Sequence, residues 1–257
     1  MKTYLVALSV LSLGTLWLSA ANAKPIETHR GPFAVVELFT SEGCSSCPPA
    51  DRVLQRLHRD HGAEGERVFV LSFHVDYWNR LGWEDPFSRS EFSQRQRAYA
   101  QAFNQRSVYT PQMVVNGRSE FVGSREDQAR REVERVLRPD QTAEVGVGLA
   151  AAAPEDDQRL QVDWRLDRLP GDIVLNVAVV EDGLSIDVPR GENHGQTLRH
   201  DGVVRGFQTI TPTAKHGSLS IPLPQDLDPA ASAVVAFVQD EKTKRIIGAH
   251  RISLTTP

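Results

Sequence analysis

The sequence predicts an α/β unit over residues 24–139 followed by an all-β, sandwich-like unit over 140–257. Three observations predict it. Apolar strand-like runs alternate with helical patterns as far as Leu137. After Pro139 the pattern changes to short strand-like segments without a helix. A single cysteine pair, Cys44 and Cys47, sits between the first strand and the first helix of the α/β part.

In the first unit, residues 33–39 (Phe-Ala-Val-Val-Glu-Leu-Phe) form a mostly apolar run, as a strand covered on both faces does. Ala50, Val53, Leu54 and Leu57 then fall on one helical face, which Gly62 and Gly65 end. Residues 68–73 are a second apolar strand. Phe92, Arg95, Tyr99 and Phe103 recur at near-helical spacing, predicting a helix over about 88–105. Residues 112–115 read as a short strand that Asn116-Gly117 turns back into Phe121-Val122, and a last helix runs from Arg125 to Leu137. The order β-α-β-α-β-β-α opens on a unit that calls for a right-handed parallel crossover.

The second unit carries strand-like segments near 143–150, 159–166, 173–181, 202–211, 217–222, 232–239 and 245–253, broken by Pro, Gly, Asp and Asn. Several short strands without helix suggest a β-sandwich. Residues 184–201 read as a long polar insertion, and long loops in compact proteins are often functional. Its residues Arg190, Glu192, Asn193, His194 and His200 could fold over the first unit, bind a partner or form a solvated loop.

The N-terminus points to export. Lys2 supplies a basic start, residues 5–18 are apolar apart from Ser, Gly and Thr, and Ala21-Asn22-Ala23 offers small residues for cleavage after Ala23. A membrane span needs roughly 20 apolar residues, more than this run holds. A signal peptide over 1–23, a periplasmic or secreted chain and no membrane span after cleavage are therefore expected. Net charge is −4, without a basic block, which gives nucleic acid no footing.

The two cysteines stand three apart, so a bridge between them closes too short a loop to constrain much chain entropy. The placement suits chemistry. A thiolate is the reactive form, and free amides at a helix N-terminus stabilise it. With the pair expected open to solvent, Cys44 would attack and Cys47 would resolve the mixed disulfide. Pro48-Pro49 suits the first helical positions, so the helix is expected to open at Pro48 with Cys47 as its cap rather than at Cys44. Glu37, Glu42 and Asp51 lie close, and no Lys or Arg falls between Arg30 and Arg52, so a modestly depressed Cys44 pKa is expected. Zinc normally takes four ligands and there is no second cysteine pair. Redox, metal-binding and plainly structural roles all remain open for the pair.

A second motif is Tyr109-Thr110-Pro111-Gln112, which puts a proline at a strand entry, where it has no ladder hydrogen bond to donate. Together with the cysteine pair, this spacing over 33–139 resembles the thioredoxin superfamily. That resemblance implies a cis-Pro111 facing the cysteines and a Thr110 backbone that pairs with an extended substrate; an ordinary trans proline is the alternative. The match narrows with residues 41–51 (Ser-Glu-Gly-Cys-Ser-Ser-Cys-Pro-Pro-Ala-Asp), His74-Val75-Asp76-Tyr77-Trp78, Leu81-Gly82-Trp83, Arg95-Gln96-Arg97 with Tyr99, and Arg190-Gly191-Glu192-Asn193-His194-Gly195. These resemble the secreted bacterial family catalogued as domain of unknown function 1223. The resemblance implies a thioredoxin-like fold without assigning an activity. No Trp stands directly before the first cysteine, Ser-Ser separates the pair, and no basic residue stands directly after the second, all departures from familiar oxidoreductases.

The expected function is exchange of the Cys44/Cys47 dithiol with protein or small-molecule disulfides, with no dissociable cofactor and a redox partner not identified. Catalytic candidates are Cys44, Cys47, Thr110, Pro111, Glu37, His74 as a base and Asp76 as its orienter. His74 as an inward strand residue and Asp76 as a turn cap are the plain alternatives. Trp78, Trp83, Tyr109 and Gln112 are candidates to contact substrate. Cys44, Cys47 and His74 also form a soft ligand set suited to copper, so a copper-binding or partner-binding envelope protein without turnover is the second expectation.

Overall fold

The computed structural model describes residues 26–62, 67–152 and 159–254. The expected signal peptide over 1–23 and Gly65 lie outside the described residues. From Ala34 to Val136 the chain forms β1 (Ala34–Thr40), α1 (Pro48–Gly62), β2 (Val68–His74), α2 (Ser90–Ala102), β3 (Gln112–Val115), β4 (Ser119–Val122) and α3 (Glu126–Val136). It continues with β5 (Val147–Ala152), β6 (Arg159–Leu166), β7 (Ile173–Glu181), β8 (Leu184–Asp187), β9 (Thr197–His200), β10 (Val203–Ile210), β11 (His216–Pro222), β12 (Ser232–Asp240) and β13 (Ile246–Ser253).

The expected thioredoxin-like α/β domain followed by a separate β-sandwich is not what forms. The architecture is mostly β, with three short α-helices among the described residues and one eight-stranded mixed sheet in the order β13-β12-β7-β10-β2-β1-β3-β4. That sheet runs through both halves of the chain. β1 and β2 are parallel, and β3 and β4 return antiparallel. The seam is at the free edge of β2, where β10 pairs parallel through Val203 and Ser72 and the Ser72 amide donates to the Gly202 carbonyl at 2.6 Å. Gly202 has φ +64, and a Cβ there would lie 2.7 Å from the Val70 carbonyl oxygen, so the approach needs a glycine. An edge strand otherwise exposes unpaired backbone groups. Pairing with β10 at Ser72 covers part of that edge and joins the two halves in one sheet.

Three cores follow. Ala34, Val36 and Leu38 face α1 and α3, while Val35 and Phe39 face α2. With both faces covered, β1 must be apolar throughout, which explains its sequence. Beyond the seam, a three-stranded sheet in the order β11-β6-β5 packs on β7, β12 and β13. In β6, Leu160, Val162, Trp164 and Leu166 point inward while the intervening residues are exposed, the alternation of a strand with one wet face.

The polar insertion is structured. β8 and β9 pair as an antiparallel hairpin, and its tip, residues 188–196, reaches the N-terminus of α1.

Candidate functional site

Cys44 and Cys47 are joined by a disulfide with 5.4 Å between their Cα atoms. The helix α1 opens at Pro48, and the Cys47 carbonyl accepts from the amides of Ala50 and Asp51 at 2.8 and 3.1 Å, so Cys47 is the cap residue. The Thr110–Pro111 bond is cis. The Thr110 hydroxyl donates to Cys44 Sγ at 3.3 Å and accepts from Trp78 Nε1 at 2.8 Å. Trp78, Thr110 and Cys44 therefore form a chain of donors ending on sulfur. Hydrogen bonds to a thiolate favour it over the thiol.

The sulfurs are covered, contrary to the expectation of an open pair: Cys44 is 1% exposed and Cys47 0%. The hairpin tip packs on the cysteine loop beside them. Asn193 Nδ2 donates to the carbonyls of Glu42 and Cys44 at 2.7 and 3.1 Å. Glu192 Oε2 accepts from the Ser45 amide and hydroxyl at 3.1 and 2.8 Å, which holds its carboxyl below the usual range. Gly191, at φ +81, fits against Trp83, where a Cβ would come within 3.1 Å of the Trp83 Cβ.

A buried charged cluster lies under the first turn of α1. His74 Nδ1 meets Asp85 Oδ2 at 2.8 Å, and His200 Nε2 meets Glu42 Oε1 at 3.2 Å, with the two imidazole centroids 4.8 Å apart. Trp83 Nε1 donates to the other Glu42 oxygen at 2.8 Å. Asp51 joins from α1, accepting from the Thr40 hydroxyl at 2.9 Å. Burial opposes charge on His74, but Asp85 beside it, with Asp51 and Glu42, raises its pKa above the ordinary value. Burial likewise opposes ionisation of Asp85, but His74 and the amides of Glu42 and Phe87 bring its pKa below normal. For Asp51, burial raises the pKa, against the pull of His200, His74 and the Thr40 hydroxyl.

The sequence-based candidates divide. Cys44, Cys47, Thr110, Pro111, His74, Trp78 and Trp83 gather at or beneath the disulfide. Asp76 does not orient His74: it is held by Ser93 through the Ser93 hydroxyl, and Asp85 takes the orienting position. Glu37 projects to the opposite face of the sheet, toward α2, where Arg95 Nε donates to it at 2.6 Å and the Tyr99 hydroxyl also donates. Tyr109 and Gln112 both bind Glu120, at 2.6 and 3.0 Å, and Gln112 also joins Gln96 and Gln105, apart from the sulfurs. Of the copper candidates, Cys44 and Cys47 are bonded to each other and His74 Nδ1 is on Asp85. Among the described residues no group of three or more His, Cys, Asp or Glu side chains is placed to hold a metal ion, and no helix is long and apolar enough to cross a membrane.

Sequence reasoning gave no role to Asp85 and treated Asp51 and Glu42 only as local charges. Asp51 was discoverable as an acid four residues after Cys47 on the apolar face of α1. Nothing local marks Asp85. Of the readings open for the insertion, Glu192, Asn193 and His200 take the one in which it packs on the first half, through Ser45, Cys44 and Glu42.

The fold and site thus define a mixed-sheet protein presenting a disulfide-bonded Cys-x-x-Cys pair at a helix N-terminus beside a cis-proline. Residues 35–239 match the family described as protein of unknown function (DUF1223), and the chain belongs to that family. A crystal structure of an Agrobacterium tumefaciens protein is 28% identical, with a TM-score of 0.61 over 87% of this chain and 95% of that one. HBP35 of Porphyromonas gingivalis, 19% identical, has a TM-score of 0.61 over 88% of this chain and 76% of its own, a likeness of fold alone. No curated protein matches the sequence. The family match crosses residue 140, as does the joined sheet.

Proposed function

We propose that this protein is an exported thiol–disulfide exchange protein whose redox centre is Cys44–Cys47, acting on protein or small-molecule thiols. One observation carries the reading: the disulfide sits at the N-terminus of α1, with Cys44 Sγ hydrogen-bonded to the residue preceding cis-Pro111. A substrate thiolate attacks Cys44 Sγ, the Cys44–Cys47 bond breaks and Cys47 leaves as a thiolate. A second substrate thiolate then displaces Cys44 Sγ from the mixed disulfide, so the substrate dithiol is oxidised and the pair reduced. The reverse sequence reduces a substrate disulfide. The helix amides and the Thr110 hydroxyl stabilise the sulfur anion each step releases. An extended substrate backbone would align along Thr110. A paired disulfide also fits an oxidising, exported compartment.

Because both sulfurs are covered, the reading requires the tip at 188–196 to lift before attack. The test is reduction of the native protein by a dithiol, with maleimide trapping, followed by turnover of a disulfide reporter. Wild type should reduce reversibly and turn over, and Cys44→Ser should not. A pair that stays oxidised below about −300 mV until the protein unfolds is a structural bridge and ends the proposal.

A further inference from the structure

The join between the two halves leaves a cavity. β10 pairs with β2 through Val203 alone. Beyond that point a space of about 410 Å³ lies between α2 and the strands β7, β10 and β12. Small-molecule sites usually measure roughly 300–1,000 Å³. The cavity is on the α2 side of the sheet, where Glu37 projects, and shares no lining residue with the disulfide site.

Its interior holds buried donors that are not all used. The Arg95 guanidinium carbon stands 5.2 to 5.5 Å from the ring centres of Phe73, Tyr99, Phe207 and Phe237, which fix its position. Arg95 Nε donates to Glu37, and its terminal nitrogens donate to the Tyr99 hydroxyl at 3.2 Å and twice to Gln239 Oε1 at 3.3 Å. A guanidinium has five N–H groups, so one is left over. Asn176 is 1% exposed; its amide nitrogen spends one N–H on Gln239 Oε1 at 3.3 Å, and its oxygen accepts from the Thr209 hydroxyl at 2.7 Å. A second N–H of Asn176 is therefore free among the described residues. Gln239 has none to spare, because Nε2 donates to the Tyr99 hydroxyl and to the Lys244 carbonyl at 2.8 and 2.6 Å. Spare buried donors call for an acceptor, and a carboxylate supplies the strongest.

The mouth adds charge of both signs. Lys244 and Glu241 stand there on the turn between β12 and β13, and neither side chain has an ion pair among the described residues. Lys244 has φ +61, in the left-handed region that glycine or asparagine fills at lower cost. A lysine held there points to a use for its side chain. Phe207, Val174 and Ala98 supply an apolar wall.

We propose that this cavity binds a small zwitterion of the amino-acid class with an apolar side chain. The carboxylate takes the spare N–H groups of Arg95 and Asn176 and the charge of Lys244. The ammonium group faces Glu241 at the rim, and the apolar side chain packs on Phe207, Val174 and Ala98. The inference is independent of disulfide exchange and stands or falls without it.

The test is calorimetric titration of the folded protein with L-phenylalanine, with 3-phenylpropanoate, which lacks the ammonium group, and with phenylalaninol, which lacks the carboxylate. Wild type should bind L-phenylalanine saturably with a Kd of about 1 mM or tighter, and both analogues more weakly. Lys244→Gln should weaken L-phenylalanine about tenfold. Glu241→Gln should weaken L-phenylalanine and spare 3-phenylpropanoate. Ala98→Trp, which fills the cavity from α2, should abolish binding. Lys244 and Glu241 are rim positions outside the core, so their variants carry the test if Ala98→Trp does not fold. Absence of saturable binding overturns the proposal, as does binding that Lys244→Gln leaves unchanged. Tighter binding of 3-phenylpropanoate than of L-phenylalanine overturns the zwitterion assignment.

Discussion

Asn193→Ala isolates the clamp between the hairpin tip and the cysteine loop. Asn193 is buried and donates two hydrogen bonds, to the carbonyls of Glu42 and Cys44 at 2.7 and 3.1 Å, which tie the hairpin tip to the cysteine loop. A buried neutral hydrogen bond contributes about 0.5–1.5 kcal/mol net, so losing two weakens the closed state by about 1–3 kcal/mol. If reduction proceeds through the lifted tip, that difference appears in the opening equilibrium, at tenfold per about 1.4 kcal/mol. Reduction of Asn193→Ala should then be about 5- to 150-fold faster than wild type, measured under native conditions by quenched alkylation and intact mass. The assay must run far below the unfolding midpoint, so that global opening does not contribute. An unchanged rate, with the variant otherwise destabilised as expected, would show that attack on Cys44 does not pass through the tip.

Three further outcomes follow from the geometry. Arg95→Met breaks a buried ion pair with Glu37 and should cost about 3–5 kcal/mol in urea unfolding, while native reduction of Cys44–Cys47 keeps its wild-type rate; a slowed reduction would return Glu37 to the redox site. Gly202→Ala sets a Cβ 2.7 Å from the Val70 carbonyl oxygen at positive φ, so it should lower stability by at least the roughly 1–2 kcal/mol of the left-handed backbone, with hydrogen exchange rising at Ser72; a neutral effect would dissolve the seam argument. His250 is pushed down to about 4 by burial and by His29, which stacks on it at 4.1 Å. The unfolded chain then binds a proton that the folded chain refuses, so this contribution is intact above about pH 6.5 and is lost as pH falls toward 4. His250→Gln should flatten the stability slope in that window, and an unchanged slope would place the acid sensitivity elsewhere.

His74 and Asp51 lose their contributions to stability in different pH windows. His74 has a raised pKa in the folded protein, so its contribution is present below about pH 6.5 and fades as pH rises through the folded value. Asp51 is also raised, so folding favours its protonated form and this contribution declines as pH climbs above the ordinary carboxylate range.

Much of the secondary structure was legible because its signals are local. The two-fold alternation of β6, the apolar run of β1 and the Pro48 start of α1 each need only a few neighbouring residues. The cysteine loop was legible for the same reason, and the Thr110–Pro111 bond through a family resemblance. Glu37 misled because a lone acid in an apolar strand looks like chemistry until its partners, Arg95 and Tyr99 some sixty residues away, are in place. Asp76 misled because it stands two residues after His74, whereas hydrogen bonding selected Asp85.

By itself, the sequence determined most of the strands, though not β8 and β9, together with the helix that presents Cys47 and the spacing of the two cysteines, since backbone periodicity and capping act over one or two turns. Only the tertiary structure decided that both halves share one sheet, that the 188–196 tip packs on the cysteine loop, and that Glu42, Asp51, His74, Asp85 and His200 lie close to one another. Those outcomes depend on which edges and charges find each other across as many as 158 positions. Desolvation and backbone pairing set that choice in three dimensions, and no local pattern encodes it.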